Sequence, residues 1–127
     1  MAKTILIVDD EAAFRDIFGV KLKAAGYEIA TAENGVEGLK KLRELKPDLM
    51  MLDMQMPQMN GAETLEKIKT DPNLSGVKVV FLTNYSDPDS GAIVNDQKFA
   101  KEVGALDYIK KTDDLDSIVL KVKKILG

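Results

Sequence analysis

Four short, mostly apolar stretches each end in a residue able to hold a cation, carry a phosphoryl group or contact one. Asp9-Asp10 follows Ile5-Leu6-Ile7-Val8, and Asp53 follows Leu49-Met50-Met51-Leu52. Thr83 follows Val79-Val80-Phe81-Leu82, and Lys111 comes just after Asp107-Tyr108-Ile109-Lys110. In open α/β sheets, ligands sit outside the carboxyl ends of the strands. If these stretches are neighbouring strands, Asp9, Asp10 and Asp53 converge. Two like charges about 4 Å apart repel by about 4 kcal/mol at an effective dielectric of about 20. Three ionised carboxylates therefore need a bound cation or a retained proton. Mg2+ suits them, because it prefers hard oxygen ligands and is often held by one or two carboxylates plus a phosphate. A carboxylate is also a nucleophile toward phosphorus, giving an aspartyl phosphate. Thr83 and Lys111 then supply a hydroxyl and a positive charge to the transferred group. Each residue also has a plainer role: helix capping for one of the first two acids, a turn for Asp53, a strand end for Thr83, a solvated surface for Lys111. The joint pattern at four strand ends is what favours a site.

The elements that must position these residues alternate along the chain. Residues 4–8 read as a first buried strand. Phe14, Ile17, Phe18, Leu22 and Ala25 then mark one face of a helix over 11–25, with Gly26 as its C-terminal cap. Tyr27 to Thr31 is a second strand. Val36, Leu39 and Leu42 mark a second helix ending before Pro47, and Asp48 to Leu52 is a third strand. Gly61 to Thr70 is a third helix with Leu65 and Ile68 inward, closed by Asp71-Pro72, and Val77 to Leu82 is a fourth strand. Asp87-Pro88 reads as an N-cap with proline in the first helical position, opening a fourth helix to about Val103. Leu106 to Ile109 is a fifth strand. Asp113 or Asp114 caps a last helix with Leu115, Ile118, Val119, Val122, Ile125 and Leu126 inward. Five apolar strands alternating with five helices predict an α/β fold: a parallel sheet covered on both faces, doubly wound in the order 2-1-3-4-5.

Composition narrows the function. The 127 residues suit one domain spanning 1–127. A net charge of −3 gives no basic face and no sign of nucleic-acid binding. The chain has no cysteine and no histidine, which excludes thiolate chemistry, His-ligated zinc and a phosphohistidine made on this chain. No apolar run approaches the roughly 20 residues that span a bilayer. Met1-Ala2-Lys3 leads directly into the first strand, so the expectation is a cytoplasmic protein without a signal peptide.

Over its full length the chain resembles the receiver domain of two-component response regulators. The stretches that carry the resemblance are ILIVDDE (5–11), PDLMMLDMQMPQMNG (47–61), VVFLT (79–83) and GALDYIKK (104–111). The second is the most specific, with Pro57 four residues and Gly61 eight residues after Asp53. The resemblance implies that Asp53 is the phosphoacceptor, and that Asp9, Asp10, Asp53 and the main-chain carbonyl of Gln55 hold Mg2+. It also implies that Thr83 is the switch hydroxyl, Tyr108 the aromatic switch and Lys111, three residues after that aromatic, the phosphoryl-binding lysine. The expected donor is a histidine kinase or histidine phosphotransfer protein, and the expected output is contact with another protein. A receiver catalyses only its own phosphorylation and dephosphorylation.

Three positions depart from the family's pattern. Thr112 stands where proline usually follows the lysine, and a cis bond before a non-proline residue costs about 2.5–4 kcal/mol, so a trans bond is expected. Asn84 replaces a small residue after the switch threonine, and the span from Asn84 to Gly104 is longer than usual. Gln55 and Tyr85 are the side chains expected to flank the path of a water attacking the phosphoryl group. The main rival is an aspartate-nucleophile phosphatase of the haloacid dehalogenase type, whose first strand ends in D-x-D; here the acids are consecutive. A flavodoxin-like electron carrier is the second rival, but an acidic first loop repels a flavin phosphate.

Overall fold

The computed structural model describes residues 2–56, 58–83 and 104–127. Five strands form one parallel sheet: β1 (Thr4–Val8), β2 (Glu28–Ala32), β3 (Leu49–Asp53), β4 (Lys78–Thr83) and β5 (Asp107–Lys110), in the order β2-β1-β3-β4-β5. Among the described residues four helices connect and cover them: α1 (Ala12–Ala24), α2 (Gly35–Leu45), α3 (Gly61–Thr70) and α4 (Leu115–Leu126). The helix expected between Asp87 and Val103 lies outside the described residues. The predicted strand order is the observed one.

Alternation of side chains along each strand builds two separate cores. Leu6, Val8, Met50, Leu52, Val79 and Phe81 face α2 and α3, where Leu39, Leu42, Leu65 and Ile68 meet them. Ile5, Ile7, Leu49, Met51, Val80 and Leu82 face α1 and α4, packing on Phe18, Leu22, Ile118 and Val122. Strands buried on both sides read as continuous apolar runs for this reason. β2 to β5 all lie one residue later than predicted, and in β3, β4 and β5 the ladder extends through the polar residue at the strand's end. Asp53 pairs with Leu82, and Thr83 pairs with Lys110.

Two residues expected to face the core do not. Ile17 is 47% exposed, because the strip of α1 that meets the sheet is centred on Phe18 and Leu22 and leaves its neighbour outside. Val36 is 65% exposed, because the first turn of α2 points Gly35 at α3 instead. An added Cβ at Gly35 would lie 2.5 Å from Thr64 Oγ1 and 2.7 Å from Met59 Cε. Gly26 ends the α1 segment at φ +104°, the conformation expected of a helix-terminating glycine.

Candidate functional site

The register of the sheet assembles the site. Val8 is opposite Leu52, so the next residues, Asp9 and Asp53, stand side by side at the carboxyl ends of β1 and β3. On the other side of β3, Thr83 ends β4, and the Lys111 amide donates to the Thr83 carbonyl at 2.8 Å, just past β5. Asp9, Asp53, Thr83 and Lys111 are the buried polar residues of this end, exposed by 6% or less. Asp10 is exposed, yet one oxygen of each of Asp9, Asp10 and Asp53 lies within 4.8 Å of the others.

One ammonium neutralises part of this charge. Lys111 Nζ is 2.8 Å from Asp9 Oδ2, 3.2 Å from Asp53 Oδ2 and 3.3 Å from Glu11 Oε1. The Phe14 ring lies against it, 4.7 Å from Nζ to centroid. The other oxygens of the two buried acids take main-chain amides: Glu11 N donates to Asp9 Oδ1 at 2.9 Å, and Gln55 N to Asp53 Oδ1 at 3.1 Å. Burial, and then the charge of Asp9, push Asp53 from its ordinary 3.8 up to about 7, against the Gln55 amide and Lys111. Burial alone would depress Lys111, but the pairing with Asp9 and the charges of Asp53 and Asp9 outweigh it and raise its pKa.

Neither Asp9 nor Asp10 caps α1, contrary to the plainer reading. The N-cap is Glu11, without a side-chain cap bond; both preceding acids are turned to the strand ends. The loop after Asp53 is braced from behind. Met54 N donates to Leu82 O, and Gly61 N to Met54 O, both at 3.0 Å. An added Cβ at Gly61 would lie 2.5 Å from Asp53 O, so the glycine eight residues past Asp53 lets α3 pack on that backbone. Asn60 and Glu63 form a capping box at the start of α3.

Thr83 Oγ1 is buried with no hydrogen-bond partner among the described residues. Tyr108 sits opposite Phe81, so it shares a sheet face with Thr83 and is its diagonal neighbour. Its ring packs on the α2–α3 core, and Lys121 Nζ lies 5.3 Å from its centroid. Lys110 pairs with Thr83 in the ladder, whereas Lys111 reaches the acids. The Lys111–Thr112 bond is trans. Asn84 and Tyr85 lie outside the described residues. Sequence reasoning assigned no role to Arg15 or to Glu11 by itself, and read Phe14 as core. The acid directly after Asp9-Asp10 was the only visible hint for Glu11.

The family model for the response regulator receiver domain matches residues 5–123. The chain belongs to this family. It is therefore the receiver domain of a two-component response regulator, a phosphorylation-activated switch, and nothing among its similarities favours the phosphatase reading. This receiver is 36% identical over 126 residues to the phosphate regulon transcriptional regulatory protein PhoB of Pseudomonas aeruginosa, covering 99% of this chain and 52% of that one. It is 37% identical to the transcriptional regulatory protein ZraR of Klebsiella oxytoca, covering 97% of this chain and 26% of the relative. The chain thus spans about half the length, or less, of these curated relatives. Among solved structures it is similar to the CheY-like receiver domain protein of Methanospirillum hungatei, with 33% identity, TM-score 0.81, and 99% and 94% of the two chains covered. It is also similar to the chemotaxis protein CheY4 of Vibrio cholerae, with 25% identity, TM-score 0.85, and 99% and 100% covered.

The acid cluster of this receiver suits a small divalent cation. Three carboxylate oxygens converge, the ligand class Mg2+ prefers. Asp9 Oδ2 is buried, and among the described residues it meets only the Lys111 ammonium, at 2.8 Å. No helix among the described residues is long and apolar enough to cross a membrane.

Proposed function

We propose that Asp53 is the phosphoacceptor of this receiver, and that Lys111 and Thr83 hold the phosphoryl group once it is in place. The observation that carries the reading is a buried Asp53 carboxylate facing Lys111 Nζ at 3.2 Å, beside two further acids and a threonine hydroxyl unpaired among the described residues. With no histidine in the chain, the donor is a second molecule: a phosphohistidine on a histidine kinase or phosphotransfer protein, or a small acyl phosphate. An ionised Asp53 oxygen attacks phosphorus, the bond to the donor nitrogen breaks with its electron pair leaving on the imidazole, and an acyl phosphate remains. The Lys111 ammonium favours the ionised nucleophile and then pairs with a phosphoryl oxygen. Thr83 donates its hydroxyl proton to another. Mg2+, held by the carboxylates of Asp9, Asp10 and Asp53 and the Gln55 carbonyl, would neutralise charge on the transferred group.

The movement of Thr83 frees space on its own sheet face, and Tyr108, its diagonal neighbour, follows as the aromatic switch. A complete population reversal requires about 5.5 kcal/mol of differential stabilisation, and a new phosphate bonded to a lysine and a hydroxyl provides a good part of it. On this reading residues 1–127 form one cytoplasmic receiver unit that catalyses only gain and loss of its own phosphoryl group. It signals by protein–protein contact, without nucleic acid or membrane. Exposure to acetyl phosphate with Mg2+, followed by mass spectrometry, tests it. One phosphoryl group on Asp53, absent in Asp53→Asn, is expected. Phosphate on a different residue overturns the assignment.

A further inference from the structure

Arg15 is a cation beside the acid cluster that touches no carboxylate of the cluster. It lies on the first turns of α1, and only 15% of its side chain is exposed. Nη1 donates to the main-chain carbonyl of Asp9 at 2.6 Å. Its approach to Glu33 is long, 3.9 Å, and Glu33 is 71% exposed, so that pair contributes little. The strong contact is therefore the charge-assisted bond to the carbonyl.

That carbonyl belongs to the peptide joining Asp9 to Asp10. The Asp9 amide is already fixed, donating to Ala32 O at 3.1 Å, and Asp9 Oδ1 is fixed by Glu11 N at 2.9 Å. The Arg15 bond removes the remaining freedom of the Asp9–Asp10 peptide plane. The plane's orientation sets the direction in which Asp10 leaves the chain. Asp10 needs this more than its neighbours, being the exposed member of the three acids. We infer that Arg15 is a positioning residue for cation binding: its guanidinium fixes the Asp9–Asp10 peptide so that the Asp10 carboxylate is aimed into the site. The inference rests on the reading that Asp9, Asp10 and Asp53 hold the cation.

Charge and position make opposite predictions here. A positive group near a cation site repels the cation, so deleting it should tighten binding if charge is all that matters. If orientation matters, deletion loosens binding. Partners that orient metal ligands typically contribute 10- to 100-fold in affinity. Mg2+ titrations followed by amide chemical shifts compare the parent with Arg15→Met, Arg15→Gln and Asp10→Asn, with thermal melts in EDTA alongside. Arg15→Met is expected to weaken Mg2+ binding about ten-fold, and Arg15→Gln, which keeps a donor without the charge, to recover part of that loss. A merely structural role would lower the melting temperature and leave the affinity alone. Unchanged or tighter Mg2+ binding in Arg15→Met, with Asp10→Asn impaired, overturns the role of Arg15 by itself. Unchanged binding in both variants overturns the cation-site reading together with it. Should Arg15→Met melt too low to titrate, weaker Mg2+ binding in Arg15→Gln than in the parent supports the inference, and equal or tighter binding overturns it.

Discussion

Replacing Asp53 by Asn should change the stability of the metal-free protein by an amount that depends on pH. Asp53 has a folded-state pKa of about 7 against an ordinary 3.8, raised first by burial and then by Asp9. A carboxyl whose pKa rises on folding stabilises the fold while both states keep the proton, below the unfolded value. That contribution drains away as the pH climbs and is gone above the folded value, since the unfolded chain ionises first. Each pH unit in between costs about 1.4 kcal/mol. Between pH 5 and pH 8 the parent therefore loses about 3 kcal/mol through Asp53 alone. The amide side chain of the Asp53→Asn variant cannot titrate and escapes that loss. Urea unfolding of both proteins in EDTA at the two pH values measures the effect, because titrating groups away from Asp53 are shared and cancel in the comparison. Asp53→Asn is expected to gain about 3 kcal/mol on the parent between pH 5 and pH 8. Mg2+ should close part of the gap at pH 8. A difference between parent and variant that is equal at both pH values would refute the idea that Asp53 is held protonated by its surroundings near neutrality.

Lys111→Met removes the one ammonium among the described residues that touches both buried acids, and should cost about 3–5 kcal/mol in EDTA at pH 8; urea unfolding at pH 5, where Asp53 retains its proton, should show a smaller cost. Thr83→Val deletes a hydroxyl that has no partner among the described residues, so melting in EDTA should move by no more than about 1 kcal/mol, while the amide shifts that phosphorylation produces across residues 104–111 should shrink. Gly61→Ala forces a methyl to within 2.5 Å of Asp53 O and should destabilise by about 2 kcal/mol, read from denaturant midpoints.

Much of this arrangement is legible in the sequence because strand ends are marked by an abrupt change of polarity. The buried runs before Asp9, Asp53 and Thr83 have nowhere to lie but in a doubly covered sheet, and the alternation with helices sets the order. The limits of the strands were misplaced by one residue because hydrophobicity stops at Leu52 and Leu82, whereas the backbone ladder continues through Asp53 and Thr83. Helix faces were read less well at their margins. Ile17 and Val36 have the right spacing, but which residues meet the sheet depends on how each helix is rolled, and the periodicity of one helix does not contain that. The surroundings of Lys111 were least legible. Glu11 lies 100 residues away in the chain, and the placement of Phe14 and Arg15 follows from where α1 starts. That start is at Ala12 rather than at the expected Glu11, with the two acids before it turned to the site.

Lys111 also bears on the life of the molecule before any signal arrives. A cluster of acids built for a metal usually cannot close until the metal is there, so folding and metal supply become one event. Here the chain carries a cation of its own, seated 2.8 Å from Asp9 and 3.2 Å from Asp53. These acids therefore have a counter-charge supplied by the chain itself. On the reading that Asp9, Asp10 and Asp53 hold Mg2+, this internal ammonium spares the fold from depending on that ion.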